Sequence, residues 1–133
     1  KDRVWYSSDK GGLYYSFVKP FEDFKYEMSQ DIVNKCSDSI IRVARQLTHL
    51  NIEKEWPNDL ILSQKKCGGI LLESWPVNNK VWLCIGIGLN VNQTSFPDYL
   101  EPVATSFFME SQKTYSLSAI SEAITACLLN LNY

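Results

Sequence analysis

Residues 55–73 read EWPNDLILSQKKCGGILLE: a Trp-Pro-Asn-Asp turn, a short apolar run, a lysine pair, and two adjacent glycines ahead of a second apolar run. Turn chemistry accounts for the first part, since Pro57 fixes φ and the side chains of Asn58 and Asp59 can bond back to nearby backbone. It leaves Lys65-Lys66 beside Gly68-Gly69 unexplained. With strands at 59–63 and 67–74 and a turn at 64–66, the stretch forms an antiparallel hairpin that sets a cation next to bare backbone. An ammonium on a flexible stem can follow carboxylate or phosphate oxygens. A solvated turn with two surface lysines is the competing reading of these residues alone.

Working outward, 51–56 and 80–87 have strand character, and the turns at 57–58 and 76–79 are short enough to make neighbouring strands antiparallel. Upstream, GLYYSFV at 12–18 is aromatic and β-branched and reads as another strand. Between them Ile32, Val33, Cys36, Ile40, Ala44 and Leu47 recur at three- and four-residue steps, which predicts an amphipathic helix from Ser29 to about Leu50, with Asp31 near its positive end. Residues 96–102 read as loop. Ser116 or Ser118 caps a last helix with an apolar stripe of Ile120, Ile124, Cys127, Leu128 and Leu131. Helices and strands segregated along the chain argue for an α+β fold.

The 133 residues, 45% of them hydrophobic, fit one domain with a real core. A net charge of -2 gives no basic field for general nucleic-acid binding, although a local positive pocket is compatible with it. Cys36, Cys67, Cys84 and Cys127 lack any C-x-x-C spacing and sit mostly in apolar runs, which favours a reducing cytoplasm. His49 is the only histidine, so a metal cluster or a catalytic pair would rest on one imidazole, and a helix-end role suits it better. No stretch approaches the length of a membrane span.

A second glycine feature, GIGLNVN at 86–92, ends the most hydrophobic strand. A dinucleotide fingerprint needs a third glycine where Val91 stands and a helix opening there, whereas a polar loop follows. Alternating glycines instead clear one face of a strand, for a neighbouring backbone or for a flat ligand, and leave Asn90 at the exit.

Taken together, Trp56-Pro57-Asn58-Asp59-Leu60, then Lys66-x-Gly68-Gly69-Ile70-Leu71-x-Glu73, then Ile85-Gly86-Ile87-Gly88-Leu89-Asn90-Val91-Asn92, resemble the catalytic domain of biotin–protein ligases. Arg3-x-Trp5-Tyr6-Ser7 and Gly11-Gly12-Leu13-Tyr14-Tyr15-Ser16 are similar to what that family has upstream, so the likeness runs over almost the whole chain. It implies a mixed, largely antiparallel sheet with helices packed on one side. It also implies a two-step reaction, in which biotin and Mg-ATP give biotinyl-5′-adenylate and a lysine of a biotin carboxyl carrier domain then takes the biotinyl group. By resemblance Lys66 is the catalytic residue, touching biotin's carboxylate and the α-phosphate. Gly68, Gly69, Ile70, Leu71, Gly86 and Gly88 join it around biotin. Arg3, Trp5, Asn58, Asp59 and Asn90 serve the nucleotide, and Asp59 meets Mg2+ through ATP.

Glu55 stands where the family usually has lysine, a reversed charge beside the phosphate region, and Lys54 points to the opposite face by strand alternation. The resemblance further implies that residues 1–133 are a partial catalytic domain, with a glycine-rich, arginine-bearing loop and a strand expected before Lys1 and a small β-domain after Tyr133. It gives no role for DNA or membrane, and it is compatible with a homodimer. Lipoate–protein ligase, octanoyl transferase and a non-catalytic binder of biotin or of the acceptor domain remain the alternatives.

Overall fold

A computed structural model describes residues 11–131. Five strands, β1 (Gly12–Phe21), β2 (Glu53–Glu55), β3 (Asp59–Leu62), β4 (Lys65–Val77) and β5 (Lys80–Asn90), form one sheet in the order β1-β5-β4-β3-β2. Three helices, α1 (Ser29–Thr48), α2 (Phe107–Ser111) and α3 (Leu117–Leu129), complete the α+β fold expected from the sequence.

The sheet departs from that expectation in one respect. All of its strand pairs are antiparallel rather than mixed, and the only parallel contact among the described residues is an isolated bridge between Lys66 and Ala104. The cause is connection length, because β2, β3, β4 and β5 are joined by tight turns and parallel neighbours need a long crossover. The turns are also tighter than the sequence suggested. Ser63 and Gln64, at φ 53 and 67, close the β3–β4 hairpin, so Lys65 and Lys66 belong to β4. At the next hairpin Pro76 pairs with Val81 inside the ladder and only Asn78 and Asn79 turn. Pro20 is accommodated because β1 is an edge strand and needs no donor on its outer side.

α1 begins at Ser29 after a short 3-10 turn, Tyr26–Met28, with Asp31 in its first turn and no side-chain cap. It ends at His49, whose backbone takes the left-handed conformation (φ 61) and whose N–H donates to the Arg45 carbonyl at 2.8 Å. The single histidine is therefore a helix terminator. Ser116 caps α3 by accepting from the Ala119 N–H at 3.1 Å.

Alternation along β5 sends Leu83, Ile85, Ile87 and Leu89 to one face, where all are buried. Their partners Phe17, Tyr15 and Leu13 on β1 and Leu72, Ile70 and Gly68 on β4 share that face. Against it lie Ile32, Cys36 and Ile40 of α1 and Ile120, Ile124 and Leu128 of α3, in one continuous core. α1 packs on β4 and β2, and α3 on α1 and β1, so both helices cover the same side. Among the described residues, neither α1 nor α3 packs on the other side of the sheet. Ile40, fully buried between the helices and the sheet, is a sensitive probe of this layer. Ile40→Ala is expected to lower the unfolding free energy by about 2–5 kcal/mol in a urea titration followed by circular dichroism.

Candidate active site

The uncovered face acquires its chemistry through a break in register. Asp59 stands opposite Gly69 and Leu60 opposite Gly68, but Ile61 then stands opposite Lys66 and Leu62 opposite Lys65, which leaves Cys67 as an unpaired extra residue. This is a β-bulge. In a regular strand Lys66 would share the face of Gly68, which is the core face. The extra residue turns Lys66 over to the side of Gly69 and Asp59. There its Nζ lies 3.0 Å from Asp59 Oδ1, in a pair roughly one-third exposed. A Cβ on Gly69 would lie 3.5 Å from Lys66 Cε, so the lysine stem passes over that glycine.

Around the pair opens a cleft of about 510 Å3. Gly69, Gly86 and Gly88 line its sheet side, and Leu71 supplies an exposed apolar wall. Tyr14 and Ser16 line it from β1, while Asn58, Asp59 and Lys66 line it from the β3 side. Because β5 and β4 lie between β1 and β3, the glycines occupy the middle of the cleft and the charged pair one flank. The turn before β3 contains a cis Trp56-Pro57 bond. That turn is tied to α1 by Gln30, whose Nε2 donates to the Pro57 carbonyl at 2.7 Å. The Asn58 carbonyl accepts from the Ile70 N–H at 3.0 Å, while its side-chain Oδ1 is buried without a hydrogen-bond partner among the described residues.

The sequence-predicted residues separate into three groups. Lys66, Asp59, Asn58, Gly69, Ile70, Leu71, Gly86 and Gly88 come together around the cleft. Gly68 and Asn90 lie outside its lining. A Cβ on Gly68 would stand 2.6 Å from the Gly88 carbonyl oxygen and 2.8 Å from Leu89 Cδ2, so this glycine serves close strand packing on the core face. Asn90 is buried, with Nδ2 donating to the Thr105 carbonyl at 3.1 Å and Oδ1 accepting from Gln93 Nε2 at 3.0 Å. Its amide fastens the end of β5. Arg3 and Trp5 lie outside the described residues.

Nor does the donor set around Asp59 fit a resident magnesium. Asp59 Oδ1 is engaged by Lys66, and no group of three His, Cys, Asp or Glu side chains among the described residues could hold a metal. Asp59 is here the counter-ion of Lys66. Glu55 stands directly opposite Asp59 and so on the same face, whereas Lys54 points to the helix side and pairs with Asp38 of α1 at 2.8 Å. Burial pushes the Cys67 thiol up to about 12, with the Glu110 carboxylate adding to the effect, so the bulged cysteine is no nucleophile.

Residues 103–105 are the part of the site that periodicity did not announce. The Lys66 N–H donates to the Val103 carbonyl at 2.8 Å, and the Lys66 carbonyl accepts from the Thr105 N–H at 2.9 Å. A usable signal was present in Ser106 ahead of Phe107-Phe108, where Ser106 Oγ caps α2 by accepting from the Met109 N–H at 3.0 Å.

Residues 1–90 match the model of the biotin/lipoate A/B protein ligase family. The chain belongs to that family. The bifunctional ligase/repressor BirA of Bacillus spizizenii is 30% identical over 129 residues, which cover 94% of this chain and 39% of that protein. Biotin–protein ligase 2 of Arabidopsis thaliana is 35% identical over 95 residues, covering 67% of this chain and 28% of its own length. Among solved structures, the biotin protein ligase of Aquifex aeolicus in complex with biotin and ATP superposes with a TM-score of 0.77 at 26% identity, covering 90% of this chain and 49% of that one. The chain thus spans well under two thirds of the length of these relatives.

Gly68 of β4 and Gly86 of β5 should respond oppositely to a methyl group. Gly68→Ala drives Cβ into backbone and is expected to lower the melting temperature by several degrees, roughly 1–3 kcal/mol of overpacking. Gly86→Ala, whose Cβ meets nothing closer than the Leu71 carbonyl at 3.6 Å, is expected to leave the melting temperature close to that of the parent.

Proposed function

We propose that this chain is the biotin-activating part of a biotin–protein ligase, which joins biotin to AMP at the cleft and passes the biotinyl group to a lysine of a carrier domain. The observation that supports the reading most is Lys66, delivered by the bulge to a glycine-lined cleft and held at 3.0 Å from Asp59. Joining a carboxylate to a nucleotide brings two anions together, and the principal obstacle is their mutual repulsion. A fixed ammonium between them lowers that repulsion and steadies the charge on the phosphoryl oxygens, with little reorganisation during the reaction.

In the first step a carboxylate oxygen of biotin forms a bond to the α-phosphorus of ATP while the bond from that phosphorus to the bridging oxygen breaks, and pyrophosphate leaves. In the second a neutral acceptor lysine amine bonds to the biotinyl carbonyl carbon and gives up a proton to solvent, the C–O bond of the mixed anhydride breaks, and AMP leaves with the bonding pair. Lys66 faces the carboxylate and the α-phosphate in the first step. Asp59 keeps its ammonium on the cleft side. Gly69, Gly86 and Gly88 let a flat bicyclic ring approach the backbone, and Leu71 gives it apolar contact. Asn58 Oδ1 is an acceptor suited to a ligand N–H or O–H. Magnesium enters with the nucleotide, and no residue of this chain is assigned to it.

The test uses the full-length protein with biotin, Mg-ATP and a carrier domain. Lys66→Ala is expected to slow biotin-dependent pyrophosphate exchange by about 100-fold or more, at an unchanged melting temperature. Parent-like exchange in that variant would remove the assignment. Gly86→Ala is expected to weaken biotin binding by about tenfold in calorimetry, because its methyl occupies ligand space. Binding of lipoate in place of biotin would move the chain to the lipoyl branch of the family, and biotin binding without any exchange would make it a binder.

A further inference from the structure

The bulge that aims Lys66 sits where β4 changes neighbours. Pairing with β5 begins only at Gly68, opposite Leu89, so on that edge Lys66 has no β5 residue beside it. The vacancy is filled by residues 103–105, which exchange two backbone hydrogen bonds with Lys66 at 2.8 and 2.9 Å. That short segment belongs to no strand and needs anchors of its own.

Its anchors converge on one carboxylate. Thr105 Oγ1, on a residue only 1% exposed, donates to Glu110 Oε2 at 2.6 Å. Ser63 Oγ, at the tip of the β3–β4 hairpin, donates to Glu110 Oε1 at 2.8 Å. The Thr105 carbonyl accepts from Asn90 Nδ2 at 3.1 Å, which joins the same segment to the end of β5. Glu110 therefore ties the segment on one side of Lys66 to the turn three residues before it. Hydrogen bonds to an ionised acceptor are about twice as strong as neutral ones.

A slip of one residue in a strand exchanges its two faces. Were β4 to absorb the bulge, Lys66 would move to the core face beside Gly68 and leave the cleft. We infer that Thr105 and Glu110 are positioning residues: through the backbone of 103–105 and the Ser63 turn they hold the bulge in register and so keep the Lys66 ammonium on the ligand face. The consequence for rate rests on the ligase reading of Lys66, while the consequence for register does not.

Two readouts on the full-length protein keep these apart, namely NMR amide exchange of the Lys66 N–H and biotin-dependent pyrophosphate exchange. Thr105→Val removes the hydroxyl at nearly constant shape, and Glu110→Ala removes the acceptor at an exposed position that tolerates substitution. Each is expected to speed exchange of the Lys66 N–H by about tenfold and to lower kcat by about tenfold, with KM for biotin within about twofold. Thr105→Ser is expected to restore both, and the double variant to be no worse than the stronger single one, since the two groups act as one contact. Parent-like exchange of the Lys66 N–H in both single variants overturns the inference. So does faster amide exchange with unchanged kcat, because Lys66 would then not depend on the clamp for its action. A parent protein that makes no biotinyl adenylate overturns the ligase reading instead, and the amide arm still decides whether Thr105 and Glu110 hold the register.

Discussion

One extra residue, Cys67, determines which way the chain's candidate catalytic cation points. β-Structure has a period of two, so every side chain of β4 is committed to a face by its distance from the core residues Ile70 and Leu72. Counting back from Ile70 in steps of two reaches Gly68 and then Lys66, which would bury an ammonium against Leu60 and Leu89. Burying an unpaired charge costs several kcal/mol, roughly, and the bulge is the local solution that avoids it. The thiol of Cys67 suits the displaced position, being small and apolar enough to be fully buried there.

The asymmetry of the sheet supplies the rest of the site. The face under α1 and α3 is crowded, so Gly68 is a glycine for want of room. On the opposite face, among the described residues, Gly69 and Gly86 have room for a methyl group that they do not carry. Identical residues in adjacent positions thus answer to different constraints. Packing fixes the first, and the floor of an open cleft is the consequence of the others.

Much of this was legible in the sequence, and the remainder was hidden for identifiable reasons. The periodicity of Ile32, Cys36 and Ile40 gives α1, and the alternation of Leu83, Ile85, Ile87 and Leu89 gives the core face of β5, because burial of each element follows its own repeat. The β3–β4 turn was placed too late, since Ser63 and Gln64 adopt positive φ without the glycine or asparagine that normally marks such a turn. That error placed Lys66 in a turn, where a bulge has no meaning. Asn90 looked available at a strand end, but its partners Thr105 and Gln93 are 15 and 3 residues away and no periodic signal links them. The clamp on Lys66 is equally non-local.

The energetics of the β3–β4 hairpin argue that stability alone does not explain it. Two non-glycine residues at φ 53 and 67 cost about 1–3 kcal/mol each, and the bulge interrupts the ladder beside them. The visible return is the Lys66–Asp59 pair, but about a third of the lysine side chain is exposed, and such pairs contribute only about 0–1 kcal/mol. The Ser63 and Thr105 bonds to Glu110 offset part of the difference, and they do so by fixing the same irregular geometry rather than relieving it. A regular hairpin ending in a solvent-facing lysine would be the cheaper way to finish this sheet. Strain, bulge and clamp agree only in what they do to one ammonium, which they set over Gly69 facing the cleft.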